Sequence, residues 1–531
     1  MKEIKCLDVT LRDGGCVIDF NFGSDYMRSI LSAVEDSGAD YIELGYMDDK
    51  KGTEKERTQF LNEKVIRQNF LKHKKNGHKY LAMMDYGKYK AEELEERRED
   101  GIDGIRLAFH KKDWRHALYA GKQIYEKGYE IYIQPMITMR YTDQELLELI
   151  AGVNDELPGA SAFYLVDSFG EMRREDVSRL IYLIDHNLNR EIAVGFHSHN
   201  NLQLSYSNAI SLLEFPMNRK LIIDSSVLGM GKGAGNLNTE LFMEHLNRYY
   251  GKNYAIKPLL NVIDKVLMVI RSENAWGYSV EYYLSSVNGC SPSYASYYYN
   301  KHRLSVEKIA ELLGCIDEEK KISFDRNYAE KLYISYNGEH SVDDGKLLQK
   351  LQEDMEGKPV LIIGPGKSII NYQKQIEEAK KSCLSIALNM VGIDTDYRLI
   401  TREELLQEAI ERGGQVIALS NIAKEMSGNE VGKLNYKEWA LIDEKAQDSA
   451  GVIAISMASR LHASEIWIAG LDGLRPDIDD NYYDKTLRTT ISAKEVEENN
   501  RFMSDLICKT KAKIPVRFLT PSIYQEGGKD V

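Results

Sequence analysis

Ile192-Ala-Val-Gly-Phe-His-Ser-His199 is a short apolar run that ends in two histidines, followed at once by Asn200-Asn201-Leu202. A strand alternates its side chains between two faces, so His197 and His199, two residues apart, share a face. Seven further runs of this kind precede or follow it: Ile4 to Thr10, Tyr41 to Gly45, Tyr80 to Tyr86, Gly104 to Phe109, Glu130 to Ile137, Ala162 to Asp167, and Leu221 to Leu228. Each pair of runs is separated by a loop and an amphipathic helical stretch. Strands alternating with helices favour a parallel sheet with crossover connections, and eight units in about 250 residues match a closed (β/α)8 TIM barrel. An open doubly wound sheet is the alternative.

In such a barrel the active site lies at the C-terminal ends of the strands. The first run ends in Thr10-Leu-Arg-Asp-Gly-Gly15, the seventh in His197-Ser-His-Asn200, and the eighth runs into Gly229-Met-Gly-Lys-Gly-Ala-Gly-Asn236. Closure brings the first strand beside the eighth and near the seventh. Asp13 is thereby expected to join His197 and His199 in a site of two neutral imidazoles and one carboxylate, a donor set that binds a divalent cation and leaves positions open. An HxH or an Arg-Asp pair alone has ordinary structural readings; their joint placement at strand ends carries the inference.

The remaining chain divides by pattern. Residues 251–336 lack strand alternation, with helices expected over Asn261 to Arg271 and Ser305 to Leu313. A Tyr-rich segment between them (Tyr278, Tyr282, Tyr283, Tyr294, Tyr297, Tyr298, Tyr299) needs both apolar burial and hydroxyl partners. This block reads as a helical extension of the 1–250 barrel, and the polar stretch 337–358 as a linker. From 359 to 525 a second α/β pattern appears, with strands at Val360 to Ile363, Leu384 to Leu388, Val416 to Ser420 and Ile466 to Gly470, economically a Rossmann-like domain. Its first strand leads into Gly364-Pro-Gly-Lys-Ser368. Backbone amides of Gly364 and Gly366, with Lys367 and Ser368, are candidates for cradling a phosphate of a nucleotide or sugar nucleotide. Leu361 stands where a Walker A loop has glycine.

Composition narrows the classes. Of 531 residues, 43% are hydrophobic and 28% charged, as in ordinary folded proteins. A net charge of -13 argues against a broad nucleic-acid-binding face. The six cysteines are scattered without CxxC pairs, so free thiols are expected. No apolar signal region or membrane span is read, and a cytoplasmic protein is expected.

Asp8-Val-Thr-Leu-Arg-Asp-Gly14, Phe196-His-Ser-His-Asn-Asn-Leu202, Val166-Asp-Ser168 and the loop ending in Gly235-Asn236 together resemble the DRE-TIM metallolyase superfamily, and most of all its 4-hydroxy-2-oxovalerate aldolase branch, over residues 1 to about 335. The resemblance implies a metal-dependent aldolase or lyase that makes or breaks a carbon–carbon bond of a 2-oxo acid through a pyruvate enolate. It implies Arg12, Asp13 and Glu43 as a signature trio, with Asp13, His197 and His199 ligating the metal and Asn236 matching a further ligand, or else ordering the glycine loop. Mn2+ or Mg2+ suits such a site, and the histidines also admit Zn2+ or Co2+. Arg12 would act on the substrate oxyanion, with Glu43 orienting it. Where the branch carries a histidine base this chain has Cys16, so Cys16 is either a substitute base or a small residue shaping a changed pocket. Tyr278 matches a tyrosine that the branch brings to the active site from its helical extension. His110, after the fourth strand, is placed to move a proton, and Ser168 to meet a substrate carboxylate.

The segment Ile453 to Asp472 resembles Rossmann-like sialyltransferase and related glycan-assembly domains. Two other readings follow. In one, the C-terminal domain is a sugar-nucleotide-dependent transferase for surface-glycan synthesis, or the barrel is a Claisen-type acyltransferase. In the other, motivated by the missing histidine, the barrel holds metal without turnover. The expected partners are an oxo-acid substrate, a nucleotide or sugar nucleotide at the C-terminal domain, and further copies of the chain in a homo-oligomer.

Overall fold

The eight apolar runs form eight strands: β1 (Ile4–Asp8), β2 (Tyr41–Met47), β3 (Lys79–Asp85), β4 (Gly104–Phe109), β5 (Glu130–Pro135), β6 (Ala162–Asp167), β7 (Ala193–Ser198) and β8 (Leu221–Ser225). The computed structural model describes residues 2–48, 56–72, 74–302, 304–339, 341–423, 431–442, 445–475, 481–483 and 493–525. Neighbouring strands pair in parallel in chain order, and the sheet closes where β1 pairs with β8 (Ile4 opposite Leu221) and with β2 (Leu7 opposite Tyr41). The TIM barrel is therefore formed. β1 stops at Asp8, two residues short of its apolar run, because Asp8 Oδ1 accepts the Thr10 N–H and the Val9 carbonyl accepts both Arg12 and Asp13 N–H, turning the chain.

Period-two alternation sorts the strand side chains. Leu7, Tyr41, Leu81, Tyr132, Tyr164, Ala193 and Ile222 fill the barrel interior. Their sequence neighbours Cys6, Ile42, Ala82, Ile133, Leu165, Val194 and Ile223 join the larger core beneath the helices. At 25 cal/mol per Å2 each buried aliphatic contributes roughly 1.5–3 kcal/mol, so a one-residue register slip, which would exchange the two sets, is strongly disfavoured.

The chain separates into two compact units: Met1–Ala295 with Lys321–Ser323, and Ser296–Lys320 with Phe324–Val531. The division falls inside the helix Pro292–His302, so residues of the expected 251–336 extension belong to both units. In the first unit the helix expected over 261–271 extends through Ile256–Val262, a π-helical turn at Ile263–Leu267 and Met268–Glu273. The expected burial of tyrosines with hydroxyl partners holds for Tyr294 of the first unit, which donates to Ser323 O, and for Tyr298 of the second, which donates to Ala329 O.

The second unit holds a parallel sheet of β9 (Pro359–Ile363), β10 (Leu384–Leu388), β11 (Tyr397–Ile400), β12 (Gln415–Leu419), β13 (Val431–Leu434), β14 (Glu465–Ala469) and β15 (Val516–Phe518), in the order β13-β12-β11-β10-β9-β14-β15. Three of these strands have no counterpart in the sequence reading. They are short, and Arg398, Gly432-Lys433 and Arg517 interrupt their apolar pattern. The stretch read as a linker, 337–358, contains a helix, Gly345–Met355, whose Leu351 and Met355 are fully buried in this unit's core. Widely spaced apolar residues in a polar run suffice for one buried helical stripe. All six cysteines are unpaired, and among the described residues no helix is long and apolar enough to cross a membrane.

Candidate metal centre at the barrel mouth

β7 ends by placing His197 and His199 on one face, and the turn after β1 delivers Asp13 opposite them. Asp13 Oδ2 lies 3.7 Å from His197 Nε2 and 3.7 Å from His199 Nε2, and all three residues are buried. Each imidazole is fixed from behind. His199 Nδ1 donates to the Lys232 carbonyl at 3.1 Å, and His197 Nδ1 to Asp224 Oδ2 at 2.9 Å. A carbonyl can only accept, and so can an ionised carboxylate; with the proton on Nδ1, a neutral ring turns the Nε2 lone pair toward Asp13. Three acceptors therefore face one another with no hydrogen between them. Asp13 Oδ2 is buried and no well-formed hydrogen bond reaches it, though the Asn236 amide lies against the carboxyl, a costly arrangement unless a cation sits among the three. Two donors each ~2.1 Å from one ion lie at most ~4.2 Å apart, and both Asp–His spacings fall within that limit.

Electrostatics favour the ligating protonation states. Burial pushes the Asp13 carboxyl up, but Arg12, His199 and His197 outweigh it and hold it well below the usual carboxylate range. Burial pushes His199 down to about 4, against the pull of Asp13, so this ring is neutral at physiological pH. Asp13 and His199 are thus already in the forms that ligate a metal ion.

Behind the ligands runs a buried ionic chain. Arg12 Nε donates to Glu43 Oε2 at 2.7 Å while its Nη1 lies 3.3 Å from Asp13 Oδ1. Arg106, fully buried on β4, donates to the same Glu43 oxygen at 2.8 Å and to Asp224 Oδ2. Tyr164 covers its guanidinium at 4.8 Å. Glu43 thus holds both arginine side chains through one carboxylate oxygen. Arg106 and Asp224 were missed, although both carry a charge inside an otherwise apolar barrel strand, Gly104-Ile-Arg-Leu-Ala-Phe109 and Leu221-Ile-Ile-Asp-Ser225, which is the signal that would have found them.

The glycine loop closes over this floor. Gly235 adopts φ +80°, and a Cβ there would stand 1.9 Å from Gly229 O; a Cβ on Gly231 would reach 2.2 Å from Asn236 Nδ2. Only glycine permits so close a fold. Asn236 orders the loop, its Nδ2 donating to Met230 O at 3.2 Å, and its buried Oδ1 has no partner.

Other sequence candidates lie differently. Cys16 Sγ is 3.9 Å from Asp13 Oδ1, and its thiol is pushed up to about 12, first by surrounding protein and then by that carboxylate. The Asp13 carboxylate beside it disfavours a thiolate, and the side chain is exposed to solvent. Tyr278 is 58% exposed; Trp276 is the residue of that segment that reaches the loop, its Nε1 donating to Leu228 O at 3.1 Å. His110 is exposed just beyond β4. Ser168 Oγ accepts the Ile137 N–H at 3.0 Å, holding a left-handed residue in place, so one of its lone pairs is committed to the fold.

In the second unit, Gly364 N–H donates to Ala469 O and Gly366 N–H to Gly470 O, each at 2.8 Å. Ser368 donates to Asp472 through both N–H, at 2.8 Å, and Oγ, at 2.5 Å. The amides expected to cradle a phosphate are bonded within the chain, and the Asp472 carboxylate occupies the anion's place. Lys367 opens a 3-10 turn of five residues, Lys367–Asn371, in place of the α-helix whose dipole would favour phosphate.

Comparison with known proteins agrees with the barrel's geometry. The HMGL-like family model matches residues 112–264. A 4-hydroxy-2-oxovalerate aldolase of Geobacillus genomosp. 3 is 28% identical over 247 residues, 46% of this chain and 71% of that enzyme. One from Pseudoalteromonas translucida is 27% identical over 304 residues, 53% of this chain and 83% of that enzyme. The crystal structure of the N-terminal domain of a candidate aldolase from Bacteroides vulgatus aligns with a TM-score of 0.50 at 27% identity, covering 58% of this chain and 99% of that domain. The N-terminal half of this chain thus carries an HMGL-like domain of the DRE-TIM superfamily and has homologues among the 4-hydroxy-2-oxovalerate aldolases.

Proposed function

We propose that the barrel is a divalent-metal-dependent aldolase that cleaves, or in reverse forms, the C3–C4 bond of a 4-hydroxy-2-oxo acid. The observation that carries this reading is the convergence of Asp13 Oδ2, His197 Nε2 and His199 Nε2, all buried and within 4.8 Å of one another. Its agreement with the names of the homologous aldolases supports it.

In cleavage the 4-hydroxyl loses its proton, the C3–C4 bond breaks, and an aldehyde departs. The electron pair remains as a pyruvate enolate, which is protonated at C3. Asp13, His197 and His199 would hold the ion, with Asn236 Oδ1 able to join them, and the bound ion would act as a Lewis acid toward the 2-oxo acid. Arg12 commits Nε to Glu43 and Nη1 to Asp13. Its Nη2 hydrogens have no protein acceptor among the described residues, and we assign them to the developing enolate oxygen, preorganised by the Glu43–Arg106 chain. Ser168 retains a hydroxyl hydrogen for the substrate carboxylate. For the 4-hydroxyl proton the proposal retains His110, an imidazole at the catalytic end of β4.

The test is metal analysis of the purified protein, followed by pyruvate release from a panel of 4-hydroxy-2-oxo acids. The account expects about one divalent ion per barrel and pyruvate from at least one substrate. Metal at full occupancy with no pyruvate from any would reject the aldolase reading and leave a metal-holding scaffold.

A further inference from the structure

Within Gly229-Met-Gly-Lys-Gly-Ala-Gly-Asn236 the side chains larger than a methyl are Met230, Lys232 and Asn236; Met230 and Asn236 are buried and Lys232 is exposed. Its backbone is held at the metal centre. Lys232 O accepts His199 Nδ1 at 3.1 Å and Gly235 N–H at 3.2 Å. Asn201 Oδ1 takes the Ala234 N–H at 3.0 Å, and Asn200 N–H donates to Gly235 O at 2.8 Å, so the loop cannot shift without disturbing a ligand. Lys232 is thereby fixed directly beside His199, with its side chain exposed.

Charge balance at the mouth gives this lysine a purpose. Arg12 and Arg106 face the three carboxylates of Asp13, Glu43 and Asp224, which leaves one net negative charge. A dication reverses that to one net positive charge, matched by the single carboxylate of a 2-oxo acid. Lys232 is then a surplus cation, and it has no carboxylate partner among the described residues.

We infer that Lys232 recognises a second anionic group, a carboxylate or phosphate, on the portion of the substrate that departs as the aldehyde. The preferred substrates are dianionic 4-hydroxy-2-oxo acids, not ones with an alkyl tail. This rests on the aldolase reading for its chemistry but on the lysine's placement for its recognition, and the two can be tested apart.

The experiment measures binding to the Mn2+-loaded full chain by calorimetry. The probes are 2-oxopentanoate, 2-oxoglutarate and 3-phosphonooxypyruvate. At low salt the wild type is expected to bind at least one of the two probes that carry a second anionic group about tenfold or more tightly than 2-oxopentanoate, as for a charge-assisted contact. In Lys232→Met that ratio falls to within about twofold, while Lys232→Arg keeps it. Whichever of the two holds the advantage distinguishes carboxylate from phosphate. A wild-type ratio near one, or a ratio unchanged in Lys232→Met, overturns the inference. Should Lys232→Met not fold, collapse of the wild-type ratio at high salt supports it, and an unmoved ratio overturns it. Pyruvate release without a dianion preference would defeat this inference alone; a dianion preference without pyruvate release would defeat only the aldolase reading.

Discussion

The two units each carry a glycine-rich loop after a parallel strand, and they use it in opposite ways. At the barrel mouth the Gly229–Asn236 loop packs tightly yet leaves Asp13 Oδ2 and Asn236 Oδ1 buried without partners. In the second unit the amides of Gly364, Gly366 and Ser368 are satisfied by Ala469, Gly470 and Asp472. A loop motif shows where the backbone approaches closely; the unsatisfied buried atoms show where a ligand is wanted.

The largest expected effect comes from cutting the ionic chain that supports the barrel site. Arg106→Met removes the cation shared by two buried carboxylates, leaving Glu43 only Arg12 and Asp224 only the His197 imidazole, and denaturant unfolding should register a loss of about 3 kcal/mol. A change below about 1 kcal/mol would mean that the chain is dispensable. Arg12→Ala keeps more of the fold but removes the proposed oxyanion donor, worth ~3 kcal/mol, so turnover should fall at least about a hundredfold with metal content retained. Asp224→Asn weakens the orientation of His197, and metal affinity measured by competition with a chelator should drop about 10- to 100-fold.

A pH effect sharpens the same contrast. Burial raises Asp167 to about 7, although the Glu171 and Met172 N–H groups hydrogen-bond its carboxylate. The folded state therefore holds this proton more tightly than the unfolded chain. Its contribution to stability is complete below about pH 4 and is lost as pH rises through about 7. Asp167→Asn should flatten the pH dependence of stability across that window; an unchanged profile would remove Asp167 as its source. The smallest effect belongs to the second unit. Ser368→Ala should cost about 1 kcal/mol through its bonds to Asp472, and CMP-, UDP- and GDP-sugars should leave the melting temperature unmoved. A clear upward shift with any of them would restore a nucleotide site there.

What the sequence disclosed follows from the same physics. Barrel strands buried on both faces read as continuous apolar runs, and so β1 through β8 were legible to within two residues at most ends. His197, His199 and Asp13 were legible because strand-end polar residues in a closed barrel must meet. Arg106 and Asp224 were not legible as site residues because they lie within strands, where one charged residue in an apolar run does not show which partner it meets across the barrel. β11, β13 and β15 were hidden by short length and interrupting polar residues. The phosphate cradle was misjudged because no local pattern reveals that residues 469–472, a hundred positions away, take up its amides.

Anomalous scattering from crystals grown with Mn2+ tests the central claim most directly. The account predicts one strong peak about 2.1 Å from Asp13 Oδ2, His197 Nε2 and His199 Nε2 together, lost in Asp13→Ala. A peak elsewhere, or none at saturating metal, would contradict it.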